Sequence, residues 1–421
     1  MRKLTAAIQF GSSRIFAAAA WVDGDGQHEV AAIESVQTAG CIRHGCVVSV
    51  DDTAARIKSL MQKLSNRVKT EQVNNLNAAY VGLCGMSMRS MEYQPSTLLG
   101  EGGVPNAEVI RHLSDKSLKL NIAGYDILGL HSNGESIDGQ NITGHHQLII
   151  AEHRLKQGIS AAMERANIRV VGWMATPLVE ADILTPEEKE KGVMLVDLGY
   201  QVTSMSIWKD KQLKHLIVIP LGCNAITLDI ATKGLRLEEA EELKTIWSDA
   251  SRPNDDNPQT MPEIHTAIPL KELNLIVASR YEEILANIAV QIEQSGYKGQ
   301  LEAGCVLTGG GSVQKGLTTL FSKRLEVNRI NTRSCNALRY SSSERKPYLT
   351  SLMTMLRLCE VSCEETIAPA VRNTPTVVTS NTPAPQHKPE PEAPKPVQPS
   401  NKKHTAFRNF IGDLFSGLNE N

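Results

Sequence analysis

Residues 194–204 read MLVDLGYQVTS. Apolar residues lead to Asp197, Gly199 opens a short turn, and a second β-rich run starts at Val202. The pattern is a strand, a tight glycine turn and a return strand. Two other stretches share its outline. Residues 8–15 (IQFGSSRI) carry a strand into a turn at Gly11, Ser12, Ser13 and Arg14. Residues 306–312 (VLTGGGS) carry one into Gly309, Gly310, Gly311 and Ser312. Glycine lets backbone N–H groups approach phosphate oxygens, and serine hydroxyls add donors. Each stretch alone is an ordinary turn. The three in this order, each behind an apolar strand, point to a phosphate cradle.

Around them, strand and helix patterns alternate in two similar batches. LTAAIQF, RIFAAAAWV and HEVAAIESVQ read as an antiparallel opening, with a hairpin turn at Asp23–Gly26. Ile57, Leu60, Met61, Leu64 and Val68 recur at helical spacing. Strands are expected near 77–85 and 145–153, with the helix NAEVIRHLSDKSLKL between them. The helix KQGISAAMERAN follows, then strands RVVGWM, VMLVDLG, SMSIWKD and HLIVIPLG. Residues 224–300 read as mostly helical. The fold class is α/β, built of two related halves.

The ordered set resembles the phosphate-1, phosphate-2 and adenosine segments of the actin, Hsp70 and sugar-kinase superfamily. Within it the chain resembles the FtsA family of bacterial actin-like cell-division proteins. GCIRHGCVVSVDDTAARI, MATPLVEADILTPEEKEKGVMLVDLG, HLIVIPLGCNAITLDIA, AEELK, SRYEEIL and VLTGGGS follow the family's order over nearly the whole chain. The resemblance implies a two-lobed actin-like ATPase fold with an inserted FtsA-type α+β subdomain. It implies ATP with Mg²⁺ in the cradle, with Asp197 the metal's carboxylate. Glu241 and Lys244 resemble the family's ribose and adenine contacts; read by themselves they are a solvated i, i+3 pair. Arg280 and Glu283 match a surface that receives the C-terminal tail of FtsZ; read alone they are a solvated helix face. Self-association into dimers or filaments is also implied.

Two departures bear on chemistry. Gln9 stands where the family has Asp or Glu, and a neutral amide supplies no charge for Mg²⁺. Tyr200 and Gln201 replace two glycines, so side chains stand where phosphate comes close. Nucleotide binding is therefore expected to be weakened, with little or no hydrolysis. Glu180 or Asp182 in the connecting segment is a candidate to orient a water. The rival reading is a small-molecule kinase of the same superfamily; no substrate motif supports it.

Composition narrows the field. The chain has 421 residues, 41% of them apolar and 21% charged, so most of it can bury a core. A net charge of −2 and the absence of a basic, aromatic-laced stripe argue against nucleic acid. No apolar run is long enough to cross a bilayer, and the N-terminus meets Gln9 and Gly11 too soon for a signal peptide. The eight cysteines are scattered and show no zinc spacing.

The C-terminus is different. Nine of the 19 prolines fall between Pro369 and Pro399, with no aromatic residue, which reads as a solvated linker. Beyond it, Phe407, Phe410, Ile411, Leu414, Phe415 and Leu418 recur at helical spacing. At about 100° per residue they fill an arc of roughly 140°. Lys402, Lys403 and Arg408 lie at the start of that helix, where the helix dipole disfavours cations and anionic headgroups favour them. Docking on the chain's own body, insertion into a partner's groove and anchoring on a membrane all use such a face. The long tether, the aromatics and the bases together favour the membrane.

The expected organisation is thus 1–74 lobe 1, 75–155 the inserted subdomain, 156–195 lobe 1 again, and 196–365 lobe 2 with a helical subdomain at about 224–300. A Pro-rich linker (366–402) and an amphipathic membrane-targeting helix (403–421) follow. The expected protein tethers FtsZ to the cytoplasmic face of the inner membrane at the division site.

Overall fold

An alanine-rich hairpin starts the first half. β1 (Lys3–Phe10) pairs antiparallel with β2 (Arg14–Val22), and β2 with β3 (His28–Gln37). The Asp23 carboxylate accepts the N–H groups of Asp25 and Gln27, closing the turn expected there. Ala17–Ala20 are all fully buried. A strand covered on both faces needs a continuous apolar run, and small side chains let the covering layers lie close. A short hairpin follows, β4 (Ile42–Arg43) and β5 (Cys46–Val47), tipped by His44 and Gly45. In α1 (Val50–Val68) the residues Ile57, Leu60, Met61, Leu64 and Val68 face the core, as their spacing requires. β6 (Ala78–Leu83) then enters the first sheet parallel to β1.

The computed structural model describes residues 2–68, 76–99, 104–253, 268–325, 327, 329–336, 338 and 346–363, all within the compact unit Met1–Ile367. The linker expected over 366–402 and the tail helix over 403–421 lie outside the described residues.

After β6 the chain builds the insertion: β7 (Arg89–Tyr93), β8 (Ser96–Leu98), α2 (Ala107–Leu118), β9 (Tyr125–Asp138) and β10 (Asn141–Glu152). Two expectations are corrected here. β6, placed by sequence in the insertion, lies inside the first sheet between β1 and β11. Between the strands expected near 77–85 and 145–153 lie not only the helix but three further strands, β7, β8 and β9. β9 contains Gly129, Ser132, Asn133 and Gly134, which have low strand propensity. Its ladder with β10 overrides that preference. The chain returns through α3 (His153–Arg165) to β11 (Arg169–Ala175), which completes a sheet ordered β11-β6-β1-β2-β3.

A connecting stretch, α4 (Thr176–Val179), a 3₁₀ turn (Glu180–Ile183) and α5 (Pro186–Lys191), leads to the second half. There β12 (Val193–Leu198), β13 (Thr203–Lys209) and β14 (Gln212–Ile219) form an antiparallel run. Helices α6 (Asn224–Ala231), α7 (Leu237–Glu242) and α8 (Leu270–Ser295) precede β15 (Gly304–Thr308), α9 (Leu317–Leu325) and β16 (Ile330–Thr332). The order β16-β15-β12-β13-β14 repeats the first sheet strand for strand, with the same parallel and antiparallel pairings. β7 extends this second sheet from β14 into the insertion.

α10 (Thr350–Arg357) gives a third correction. Placed by sequence in the second lobe, it packs on β1, β2 and β6 of the first. Leu352, Met355 and Leu356 join that core, and the Cys363 N–H donates to the Leu4 carbonyl. Its apolar face fits a groove that local sequence cannot reveal. A Cβ at Gly82 would lie 2.3 Å from Met355 Sδ, so a glycine there makes room for the helix.

Candidate functional site

The topological repeat brings two equivalent turns face to face. The Gly11 N–H donates to the Arg14 carbonyl at 3.0 Å, and the Gly199 N–H to the Val202 carbonyl at 3.0 Å. At either glycine a Cβ would stand 2.7 Å from that oxygen. With the third glycine loop they border a cleft of about 500 Å³. Gly11, Ser12, Ser13, Arg14, Asp197, Gly199, Glu241, Lys244, Gly309, Gly310 and Gly311 all line it. Ser312 does not. It is buried, and its hydroxyl donates to the Gly309 carbonyl at 2.8 Å, closing its own loop.

The three consecutive glycines have different reasons to be glycine. Gly309 has φ 83° and ψ 173°, a conformation nearly confined to glycine. Gly311 lies where a Cβ would come within 2.2 Å of Cys223 Sγ. Gly310 is open: a Cβ there meets only Tyr348, at 3.8 Å. Tyr281 underpins the loop by donating its hydroxyl to the Gly311 carbonyl at 3.1 Å.

Glu241 and Lys244 are not a solvated pair. A π-helical turn (Leu243–Trp247) follows α7, and the Lys244 side chain is only 6% exposed. Its ammonium donates to Glu241 Oε2 at 2.6 Å, Thr227 Oγ1 at 2.9 Å and the Cys223 carbonyl at 3.4 Å. An ammonium has three protons, so Lys244 is fully engaged. It positions Glu241, whose other oxygen remains to accept from a ligand hydroxyl. Burial, and then the Glu241 charge, push the Tyr200 phenol upward.

Asp197 lines the cleft, and a second acid, Glu180, is buried behind it. Of the two acids in the connecting segment, Asp182 pairs with Arg357, whereas Glu180 is 1% exposed and accepts from the Ser351 hydroxyl. Burial, reinforced by the Asp197 charge, pushes Glu180 well above the usual carboxylate range. Burial pushes Asp197 up to about 6. Glu180 Oε2 has no donor, so a proton on Glu180 shared with Asp197 is the arrangement that satisfies both groups. Gln9 Oε1 is a second buried acceptor with no partner.

This pair makes stability pH-dependent. Both acids hold protons more tightly in the folded chain than in the unfolded one. Their contribution is therefore complete below about pH 4 and is lost as pH rises through about 6 and beyond. Glu180→Gln keeps the shape and removes one titrating group. Urea midpoints measured from pH 5 to 8 are expected to fall less steeply for Glu180→Gln, which gains on the order of 1–3 kcal/mol over the parent at pH 8. Parallel profiles would rule this out.

Other contacts had no signal in the sequence. Phe16 and Tyr348 stack at 5.9 Å along one wall of the cleft. Gln201 lines the cleft as expected, and its amide oxygen accepts from the His44 N–H. Arg280 and Glu283 lie on α8, outside the cleft. Arg280 forks onto Asp229 of α6 at 2.5 and 3.0 Å and reaches Glu283 at 2.6 Å, so it is tied rather than simply solvated. Among the described residues, no group of three or more His, Cys, Asp or Glu is placed to hold a metal ion, and no helix is long and apolar enough to cross a membrane.

Comparison with known proteins agrees with this geometry. A family model described as cell division protein FtsA matches residues 194–353. The chain is 28% identical over 363 residues to the cell division protein FtsA of Porphyromonas gingivalis, covering 79% of this chain and 74% of that one. It is 26% identical over 340 residues to FtsA of Pseudomonas aeruginosa, covering 76% and 80%. A chain of the PilM-PilN type IV pilus biogenesis complex superposes with a TM-score of 0.60 at 17% identity, covering 84% of this chain and 97% of that one. The fold is actin-like, and the sequence is similar to FtsA along most of its length.

Proposed function

We propose that this relative of the FtsA cell-division proteins tethers FtsZ filaments to the cytoplasmic membrane at the division site. The carrying observation is the similarity to FtsA over about three quarters of both chains. The body binds the FtsZ C-terminal tail through α8 and its surroundings. Arg280 stands there between Asp229 and Glu283, and the same two helices, α6 and α8, also expose Leu228 and Leu275. Charged groups together with exposed apolar ones suit a short peptide that docks by both. The tail residues Phe407, Phe410, Ile411, Leu414, Phe415 and Leu418, with Lys402, Lys403 and Arg408, hold the membrane. Self-association multiplies one weak anchor into a strong one.

ATP is the cleft's ligand rather than a substrate to be turned over. The paired turns at Gly11–Arg14 and Gly199–Val202 offer backbone N–H groups to phosphates, and Gly310 leaves room beside them. Glu241 accepts from a sugar hydroxyl. Mg²⁺ would neutralise phosphate charge, held by Asp197 and by water on Gln9 Oε1. With one carboxylate and one amide oxygen, the protein itself offers that ion few ligands.

Flotation with vesicles of phosphatidylglycerol and phosphatidylethanolamine tests the tether. The cognate FtsZ is expected to float only when this chain is present. Arg280→Asp should leave the chain on the vesicles and lose FtsZ at least about tenfold, as a reversed charge in a desolvated contact does. FtsZ floating to the same extent with and without the chain would refute the tether.

A further inference from the structure

One residue from each half meets beside the cleft, which Gly45 and Gln201 line. His44 tips the β4–β5 hairpin of the first half with φ 47°, and Gln201 sits in the turn between β12 and β13 of the second. The His44 N–H donates to Gln201 Oε1 at 2.9 Å. The His44 ring Nδ1 lies 3.0 Å from the Gln201 carbonyl oxygen. A carbonyl oxygen only accepts, so Nδ1 carries the proton. Two hydrogen bonds thus join residues 157 positions apart.

Both ends are anchored. The His44 carbonyl accepts from the Met86 N–H at 3.1 Å, and the Gly45 N–H donates to Ser12 Oγ at 3.2 Å. A Cβ at Gly45 would stand 2.0 Å from the Cys84 carbonyl oxygen, so the tip is seated tightly against the end of β6. On the other side, the first N–H groups of α6 grip Gln201's turn: Cys223 N–H donates to the Gly199 carbonyl at 3.0 Å and Asn224 N–H to that of Tyr200 at 2.7 Å. Because neither end is a loose loop, a bond between them is a bond between the two halves. A glycine at position 201 would keep the carbonyl but lose the amide that takes the His44 N–H.

We propose that Gln201 and His44 form a clasp that holds the two halves closed with no ligand in the cleft. Closure becomes a property of the chain instead of its nucleotide, so the body is ready to assemble whether or not the cleft is filled. The clasp goes beyond the proposed tether and does not depend on nucleotide binding.

Hydrogen exchange on the full chain tests it. The reporter is the 41–48 segment, with α3 as a control for overall stability. The variants are Gln201→Gly, which removes the amide, and Gln201→Asn, which shortens its reach. In the parent chain, 41–48 should be protected without nucleotide, and Mg·AMP-PNP should add little. Both variants should exchange about tenfold faster there with α3 unchanged, the effect of losing roughly one hydrogen bond. Equal rates in parent and variants would overturn the clasp. So would protection of the parent only with Mg·AMP-PNP, or acceleration of α3 by the same factor. If both variants exchange faster in 41–48 and Mg·AMP-PNP restores nothing, the clasp stands and the nucleotide reading of the cleft fails.

Discussion

A chain ending at residue 402 is expected to stay in the supernatant with anionic vesicles, while the full chain sediments with them. The deletion removes Phe407, Phe410, Ile411, Leu414, Phe415 and Leu418 together with Lys403 and Arg408. Two basic residues near an anionic surface contribute about 2 kcal/mol. The apolar face contributes what a single weak anchor does, with a partition constant on the order of 10⁴ M⁻¹. Neither part is sufficient without the other, so losing both should abolish binding. Phe410→Glu tests the face alone and should weaken binding at least about tenfold, since it sets a charge in the middle of the apolar arc. Raised salt should weaken the parent too, because the basic part is screened. Equal sedimentation of the parent and the truncated chain would exclude the anchor.

Neighbouring glycines should give opposite results. Gly309→Ala is expected to cost about 4 kcal/mol or more, because φ 83° with ψ 173° excludes side chains and the new Cβ meets fixed atoms. Asp197 Oδ1 would be 1.9 Å away and the Leu198 backbone oxygen and nitrogen 2.7 and 2.8 Å away. Backbone on a central strand has nowhere to move. The thermal midpoint should fall by about 5–10 °C. Gly310→Val should leave that midpoint within about 1–2 °C, since its Cβ meets only Tyr348 at 3.8 Å. Its side chain would stand in the cleft instead, and calorimetric titration with Mg·ATP should lose the saturable heat expected of the parent. A stable Gly309→Ala variant, or undiminished Mg·ATP binding by Gly310→Val, would contradict this division of labour.

Much of the fold was legible because its signals are local. The α1 face, the Asp23 turn, and the strands ending in glycine turns each declare themselves within a few residues. The insertion was less legible. β9 carries glycine and asparagine, and it is a strand only because β10 lies beside it. α10 shows its apolar face in the sequence, but not that the face belongs to the first half. The cleft followed the same division. Eleven of its residues were found from their turns and from resemblance, whereas Ser312 proved to be spent inside its own loop.

The sequence by itself determined the α/β class, the repeated strand–glycine–strand turns, and a C-terminal run of apolar residues at helical spacing beyond a proline-rich stretch. These rest on periodicity and backbone preference, which act between near neighbours. Only the tertiary structure decided that the two halves share one strand order and that Lys244 is buried against Glu241. It also decided that Glu180 is buried next to Asp197 and that the Gln201 amide takes the His44 N–H. Burial and hydrogen-bond geometry govern those outcomes. They depend on atoms brought together from distant parts of the chain, so no local pattern could announce them.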